Sequence, residues 1–121
     1  MKRILVTGSR DWNDWSTMAA ALAAQVDGGQ LVIVHGGARG ADQMAGEWAR
    51  KYGLKEEVFP AQWNTYGKRA GFVRNSEMVA TAPHVCLAFI KNGSRGATMT
   101  ADLAEKAGIP TIRYTDEGVG R

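Results

Sequence analysis

Leu31-Val32-Ile33-Val34-His35-Gly36-Gly37-Ala38-Arg39-Gly40-Ala41-Asp42 passes in one short stretch from an unbroken apolar run, through three glycines, into a helical pattern. The apolar run is too continuous to have a solvated face, so it reads as a strand covered on both sides. Ala41, Met44, Ala45, Trp48 and Tyr52 then fall at helical spacing, and Gly53 stands where a helix leaves in a left-handed conformation. Strand, glycine turn and helix form the repeating unit of a parallel α/β sheet.

The same unit recurs on either side. Ile4 to Val6, Val58-Phe59, Val85 to Ile90 and Thr111-Ile112 read as further strands. Trp15, Met18, Ala19, Leu22, Ala23 and Val26 mark a helix, with Asp14 as N-cap and Gly28 beyond its end. Two more helices are expected over Phe72 to Ala80 and over Thr98 to Ala107, the latter stopped by Gly108 and Pro110. Parallel neighbours need crossover helices, and these pack on alternate faces. The expected fold is therefore α/β: a single Rossmann-like doubly wound sheet of about five parallel strands with helices on both faces, one domain over residues 1–121.

A chain of 121 residues and 13.1 kDa is enough for one core and too short for a separate substrate domain, so a ligand must bind at loops or at a subunit interface. No apolar run approaches the roughly 20 residues of a membrane helix, and Met1-Lys2-Arg3 leads into a strand pattern rather than a signal sequence. A cytoplasmic protein with no membrane partner is expected. The lone Cys86 sits inside an apolar run as a small hydrophobe, and with only two histidines no metal site is expected. A formal charge of +3 is too small and too dispersed for a dedicated nucleic-acid-binding domain.

Three glycine-bearing segments follow strands: Gly8-Ser9-Arg10, Gly36-Gly37-Ala38-Arg39-Gly40 and Gly93-Ser94-Arg95-Gly96. Glycine lets the backbone approach an anion, a helix N-terminus supplies unpaired N–H groups, and each segment adds an arginine. In a doubly wound sheet all three lie at the carboxyl edge, where ligands bind. The dinucleotide fingerprint GxGxxG is absent after the first strand, and so is the Walker A motif.

VTGSRDW at Val6 to Trp12, VHGGARGAD at Val34 to Asp42, GKRAGFVRNSEMV at Gly67 to Val79 and NGSRGATMTADLAEKAGIP at Asn92 to Pro110 resemble the YspA and YpsA-related branch of the SLOG superfamily, over nearly the whole chain. The resemblance implies a Rossmann-like domain for a nucleotide or nucleotide-derived signal, distantly related to the LOG phosphoribohydrolases, which are oligomeric. Those enzymes carry PGGxGTxxE, and the glutamate position falls here on Thr100. A threonine cannot move a proton near neutral pH, and Glu105 lies about a turn and a half further on.

The expected function is binding, as a sensor or sequestering protein, of a nucleotide-type phosphate ligand, with no cofactor required and no residue assigned a catalytic role. Backbone N–H groups of Gly36 to Gly40 and of Ser94, Arg95, Gly96 and Ala97 hold phosphate in this reading, with Gly8 and Gly93 opening the neighbouring loops. Arg10 and Arg39 neutralise it, and Ser9, Asp42 and Thr98 are available to sugar hydroxyls. Arg74 and Asn75 form pocket or pocket wall, and Trp12 either stacks on a base or packs over the first helix. For each residue a structural role stands beside the functional one: tight turns for the glycines, solvated loop cations for Arg10, Arg39 and Arg95, a first-turn acid for Asp42. Trp15 and Trp48 are expected in the core, His35 and His84 in structural roles, and Trp63 and Tyr66 in a lid or a homodimer (or higher homo-oligomer) interface. The alternatives are a nucleoside-monophosphate N-glycoside hydrolase and a nucleic-acid-binding accessory protein.

Overall fold

The computed structural model describes residues 1–115 and the backbone of 118–120. Its strands are β1 (Lys2–Gly8), β2 (Leu31–His35), β3 (Lys55–Val58), β4 (Val85–Ile90), β5 (Thr111–Thr115) and β6 (Gly118–Gly120). Helices are α1 (Trp15–Ala23), α2 (Ala41–Lys51), the short α3 (Trp63–Tyr66), α4 (Ala70–Ala80) and α5 (Arg95–Lys106), with a 3₁₀ turn at Gly67–Arg69 before α4. The sheet order is β3-β2-β1-β4-β5-β6. The first five strands pair in parallel, and β6 adds antiparallel to β5. This is the doubly wound architecture the sequence implies.

Alternation along the buried strands divides the core between two faces. Ile4, Val6, Ile33, Leu87 and Phe89 pack with Met18 and Leu22 of α1 and with Ala45, Trp48 and Ala49 of α2. Leu5, Val32, Val34 and Cys86 pack against Met78 of α4 and Ala104 of α5, and Ala88 and Ile90 against Ala97 and Ala101 of α5. Burial pushes the Cys86 thiol up to about 12, so it stays protonated and inert. No described helix is long and apolar enough to cross a membrane.

Several elements differ from their sequence reading. β3 covers Lys55–Val58 rather than Val58-Phe59. It is an edge strand whose acids are paired: Glu57 accepts both guanidinium N–H groups of Arg3 at 3.0 and 2.8 Å, and Glu56 is held by His35 and Arg50. Charge disguised it as a loop. The expected irregular stretch before Gly67 contains α3, and α5 begins at Arg95, a turn before the expected Thr98. α1 is capped as expected, with Asp14 accepting the Thr17 N–H at 3.0 Å, but it stops at Ala23. Val26 is therefore 54% exposed, and Trp15, in the first turn, is 36% exposed rather than core. Tyr52 at the end of α2 also lies open.

Trp12 moves the other way. It is only 3% exposed, its ring meets Phe89 edge-on at 5.4 Å, and its Nε1–H donates to the Asp14 carbonyl. No face remains for a base, so the stacking role does not hold and the packing alternative does. Trp12→Ala is expected to lower stability by about 3–5 kcal/mol, the usual range for emptying a buried aromatic site; denaturant unfolding measures it, and a loss under 1 kcal/mol contradicts the assignment.

Candidate functional site

Strand order reverses between β1 and β4, whose outgoing chains diverge to α1 and α5 on opposite faces. A pocket of about 420 Å³ opens in that crevice. Its walls come from Thr7 to Asp11 after β1, Ala38 and Asp42 at the start of α2, Arg74 and Asn75 of α4, and Lys91, Asn92, Ser94, Gly96 and Ala97 between β4 and α5. Segments distant in sequence thus meet at the switch point, where an open α/β sheet binds ligands.

The α5 start is an uncapped helix N-terminus, a geometry that can hold an anion. Ser94 occupies the N-cap with extended backbone, yet no side chain caps the helix. Gly96 and Ala97, in the first turn, line the pocket, and first-turn N–H groups have no intrahelical acceptor and carry the positive end of the helix dipole. Lys91 and Arg10 line the same space. The earlier α5 start matters here, because it turns Arg95, Gly96 and Ala97 from loop into a donor-bearing first turn.

The glycine loop after β2 behaves differently. Gly36 and Ala38 each donate their N–H to Asp42 Oδ2 at 3.2 Å, and Gly37 donates to His35 Nδ1 at 2.9 Å. Ala41 N–H, at the start of α2, donates to the Ser9 carbonyl, and Gln43 N–H to the Ala38 carbonyl. Three of the loop N–H groups expected to cradle phosphate are therefore already engaged within the protein. The requirement for glycine at position 40 is steric: its φ is +83°, and a Cβ there would collide with the Ser9 carbonyl.

Because His35 Nδ1 accepts, its Nε2 carries the proton and donates to Glu56 at 2.5 Å. Burial raises the Glu56 pKa, but the hydrogen bonds from His35 and Arg50 outweigh it and hold the carboxyl below its ordinary value. His35 thus anchors the loop from behind. His84 is structural as well, its Nδ1 accepting the Arg3 N–H at 2.9 Å.

Asp42 is the unusual group. It is 5% exposed, lines the pocket, and its Oδ1 has no hydrogen-bond partner among the described residues. Burial raises its pKa, opposed by the Ala38 N–H, by nearby His35 and Arg74, and by the Gly36 N–H. An orphaned buried carboxylate oxygen costs about 1–3 kcal/mol or more unless something fills its place.

Arg74 packs its guanidinium over Gly36, in the space a side chain there would occupy. Nη1 donates to the Gly36 carbonyl at 2.8 Å, and Nε donates to Asn75 Oδ1 at 2.7 Å. Burial and the charge of Arg10 lower its pKa while Asp42 raises it. Two arginines therefore converge on one wall. Arg10, Ala38 and Arg74 also line a second cavity of about 220 Å³, completed by Gly36, Gly37, Pro60, Ala61 and Trp63.

Other expected residues are placed elsewhere. Arg39 and Arg95 are exposed and line neither cavity, and Gly40 and Gly93 also lie off both linings. The Thr98 hydroxyl donates to the Ser94 carbonyl. Ser9 is a stitch, its hydroxyl donating to the Lys91 carbonyl at 3.1 Å while accepting the Lys91 N–H at 2.7 Å. Thr100 is fully buried and bonded to the Gly96 carbonyl. Thr7, Asp11, Lys91 and Asn92 were not singled out by sequence. Their one signal is position, at the carboxyl ends of β1 and β4. Among the described residues no group of three His, Cys, Asp or Glu side chains could hold a metal.

The family described as "YspA, cpYpsA-related SLOG family" (YAcAr) matches residues 2–66. The chain is also 44% identical over 126 aligned residues to the "Gene 61 protein" of Mycobacterium phage D29, with 97% of this chain and 99% of that protein covered. No solved structure matches.

Two outcomes test this geometry. Gly40→Ala is expected to cost at least about 2 kcal/mol in denaturant unfolding, because it adds both strain and a clash. Asp42→Asn can keep both loop N–H acceptors through its Oδ1. The Asp42 carboxyl resists ionisation in the fold, so below its ordinary value of 3.8 both states are protonated and nothing is lost. As pH rises above that value the unfolded chain releases its proton first, and wild type should lose stability relative to Asp42→Asn; a difference that is flat or rises from pH 4 to 7 contradicts the burial argument.

Proposed function

The chain belongs to the YspA, cpYpsA-related SLOG family, and from that membership and the pocket at its switch point we propose that it binds a nucleotide or nucleotide-derived phosphate ligand without turning it over. The observation that carries the reading is Asp42 Oδ1, a buried acceptor without a partner on the wall of a pocket otherwise rich in donors. A ligand needs both an anion and a hydroxyl to satisfy that wall. Phosphate meets the open N–H groups of Gly96 and Ala97 beside Arg10 and Lys91, and a sugar hydroxyl donates to Asp42 Oδ1. Asn75 holds Arg74 in place for the same ligand.

Thr100 supports the reading without turnover: it stands where the LOG enzymes that the chain resembles carry a glutamate, and it is buried and bonded to the Gly96 carbonyl. A hydrolase reading has one observation in its favour. Asp42 is a pocket carboxyl with a raised pKa, a property of general acids. Such an enzyme would add water across the N-glycosidic bond of a nucleoside 5′-monophosphate, giving free base and ribose 5-phosphate. Chromatography of a prolonged incubation separates the two readings, with no free base expected.

Titration calorimetry with the four ribonucleoside 5′-monophosphates tests binding itself. Arg10→Ala is expected to weaken binding tenfold or more, the scale of one charge-assisted contact, whereas Arg39→Ala stays within about twofold of wild type because its side chain lies off the pocket. No binding of any monophosphate by wild type, or equal losses in the two variants, overturns the assignment.

A further inference from the structure

Trp63 is 53% exposed although it lies on an element packed close to the sheet's ligand-binding edge. Its indole is backed by α4, where Cη2 is close enough that a Cβ on Gly71 would stand 3.8 Å away, and it contributes to the second cavity with Pro60 and Ala61. Gly36 and Gly37 also line it, with the Arg74 guanidinium over Gly36 in the space a side chain there would fill. Polar and apolar groups line this slot in about equal measure, the Arg10 and Arg74 guanidiniums standing with the Trp63, Pro60 and Ala61 side chains. Arg10, Ala38 and Arg74 belong to both cavities, so the slot and the anion pocket are two parts of one continuous surface.

We propose that Trp63 forms the base subsite: the planar ring of a nucleotide lies in the smaller cavity against the Trp63 indole while its phosphate sits at the α5 N-terminus. This deepens the nucleotide reading above and rests on it. One ligand then crosses the Arg10–Arg74 wall, its sugar passing Asp42. A half-exposed indole next to a cationic wall is otherwise a costly surface, since its apolar face is left in water. Stacking is indifferent to base identity because every base offers a π-face.

The test compares each ribonucleoside 5′-monophosphate with ribose 5-phosphate by calorimetry, in wild type, Trp63→Ala and Trp63→Phe. Wild type is expected to bind at least one monophosphate roughly 5- to 150-fold more tightly than ribose 5-phosphate, the range that base stacking on an aromatic side chain represents. Trp63→Ala should bring that monophosphate to the level of ribose 5-phosphate and leave ribose 5-phosphate itself unchanged, and Trp63→Phe should restore most of the gain. Unchanged monophosphate affinity in Trp63→Ala overturns the base subsite. So does parity of the two ligands in wild type, while leaving the phosphate pocket standing. A parallel loss of ribose 5-phosphate binding overturns it too, because Trp63 would then be shaping the anion site. Failure of wild type to bind either ligand removes the nucleotide reading and this inference with it.

Discussion

The carboxyl group of Asp42 is the interaction on which the carboxyl edge of the sheet depends. One of its oxygens gathers the N–H groups of Gly36 and Ala38 and so ties the turn after β2 to the first turn of α2. The same turn gives Arg74 its carbonyl partner and lies across Gly36 from the guanidinium. Without that carboxyl group, the N–H groups of Gly36 and Ala38 would both need new partners. Its second oxygen is left unpaired beside the pocket, so one residue both builds the edge and leaves a demand on whatever binds there.

That arrangement divides the labour among glycine segments that look alike in sequence. The loop around Gly36 to Gly40 spends its N–H groups on Asp42 and His35, and its glycines serve tight packing against the Ser9 carbonyl and Arg74. The loop around Gly93 continues into a helix whose first turn is uncapped and open. The open helix start therefore belongs to the segment around Gly93, while the glycine-rich segment after β2 is mainly a structural joint. A helix N-terminus with no side-chain cap and a buried carboxyl oxygen without a partner stand on the same pocket, one offering donors and the other an acceptor.

Much of the fold was legible because buried parallel strands write themselves as apolar runs. Leu31 to Val34 and Val85 to Ile90 needed no tertiary information, and Asp14 announced its helix by local capping chemistry. β3 was misplaced because Glu56 and Glu57 look like surface acids until their partners Arg3, His35 and Arg50, drawn from β1, β2 and α2, are in position. Trp12 took the packing alternative and entered the core, while Trp15, expected in the core, faces outward. Side-chain periodicity says which residues share a stripe but not where the sheet beneath that stripe ends. Of the candidate site, Arg10, Asp42, Arg74 and Asn75 were reachable from motif and strand-end position and Trp63 only as an aromatic of a lid or an interface, whereas Lys91 carried no local signal that distinguished it from surface residues.

By itself, the sequence determined the alternation of strand and helix, the doubly wound class, the family and the edge at which the glycine segments gather, because each follows from local periodicity, turn chemistry and motif spacing. Tertiary structure alone decided which N–H groups remain free, which arginine faces the pocket, and that Asp42 keeps one oxygen unsatisfied. Those are properties of partners far apart in the chain: Ser9 with Lys91, Gly36 with Arg74, Asp42 beside the start of α5. Hydrogen-bond capacity is written in the residue type, but whether it is already used depends on what the fold brings within 3 Å or so of it.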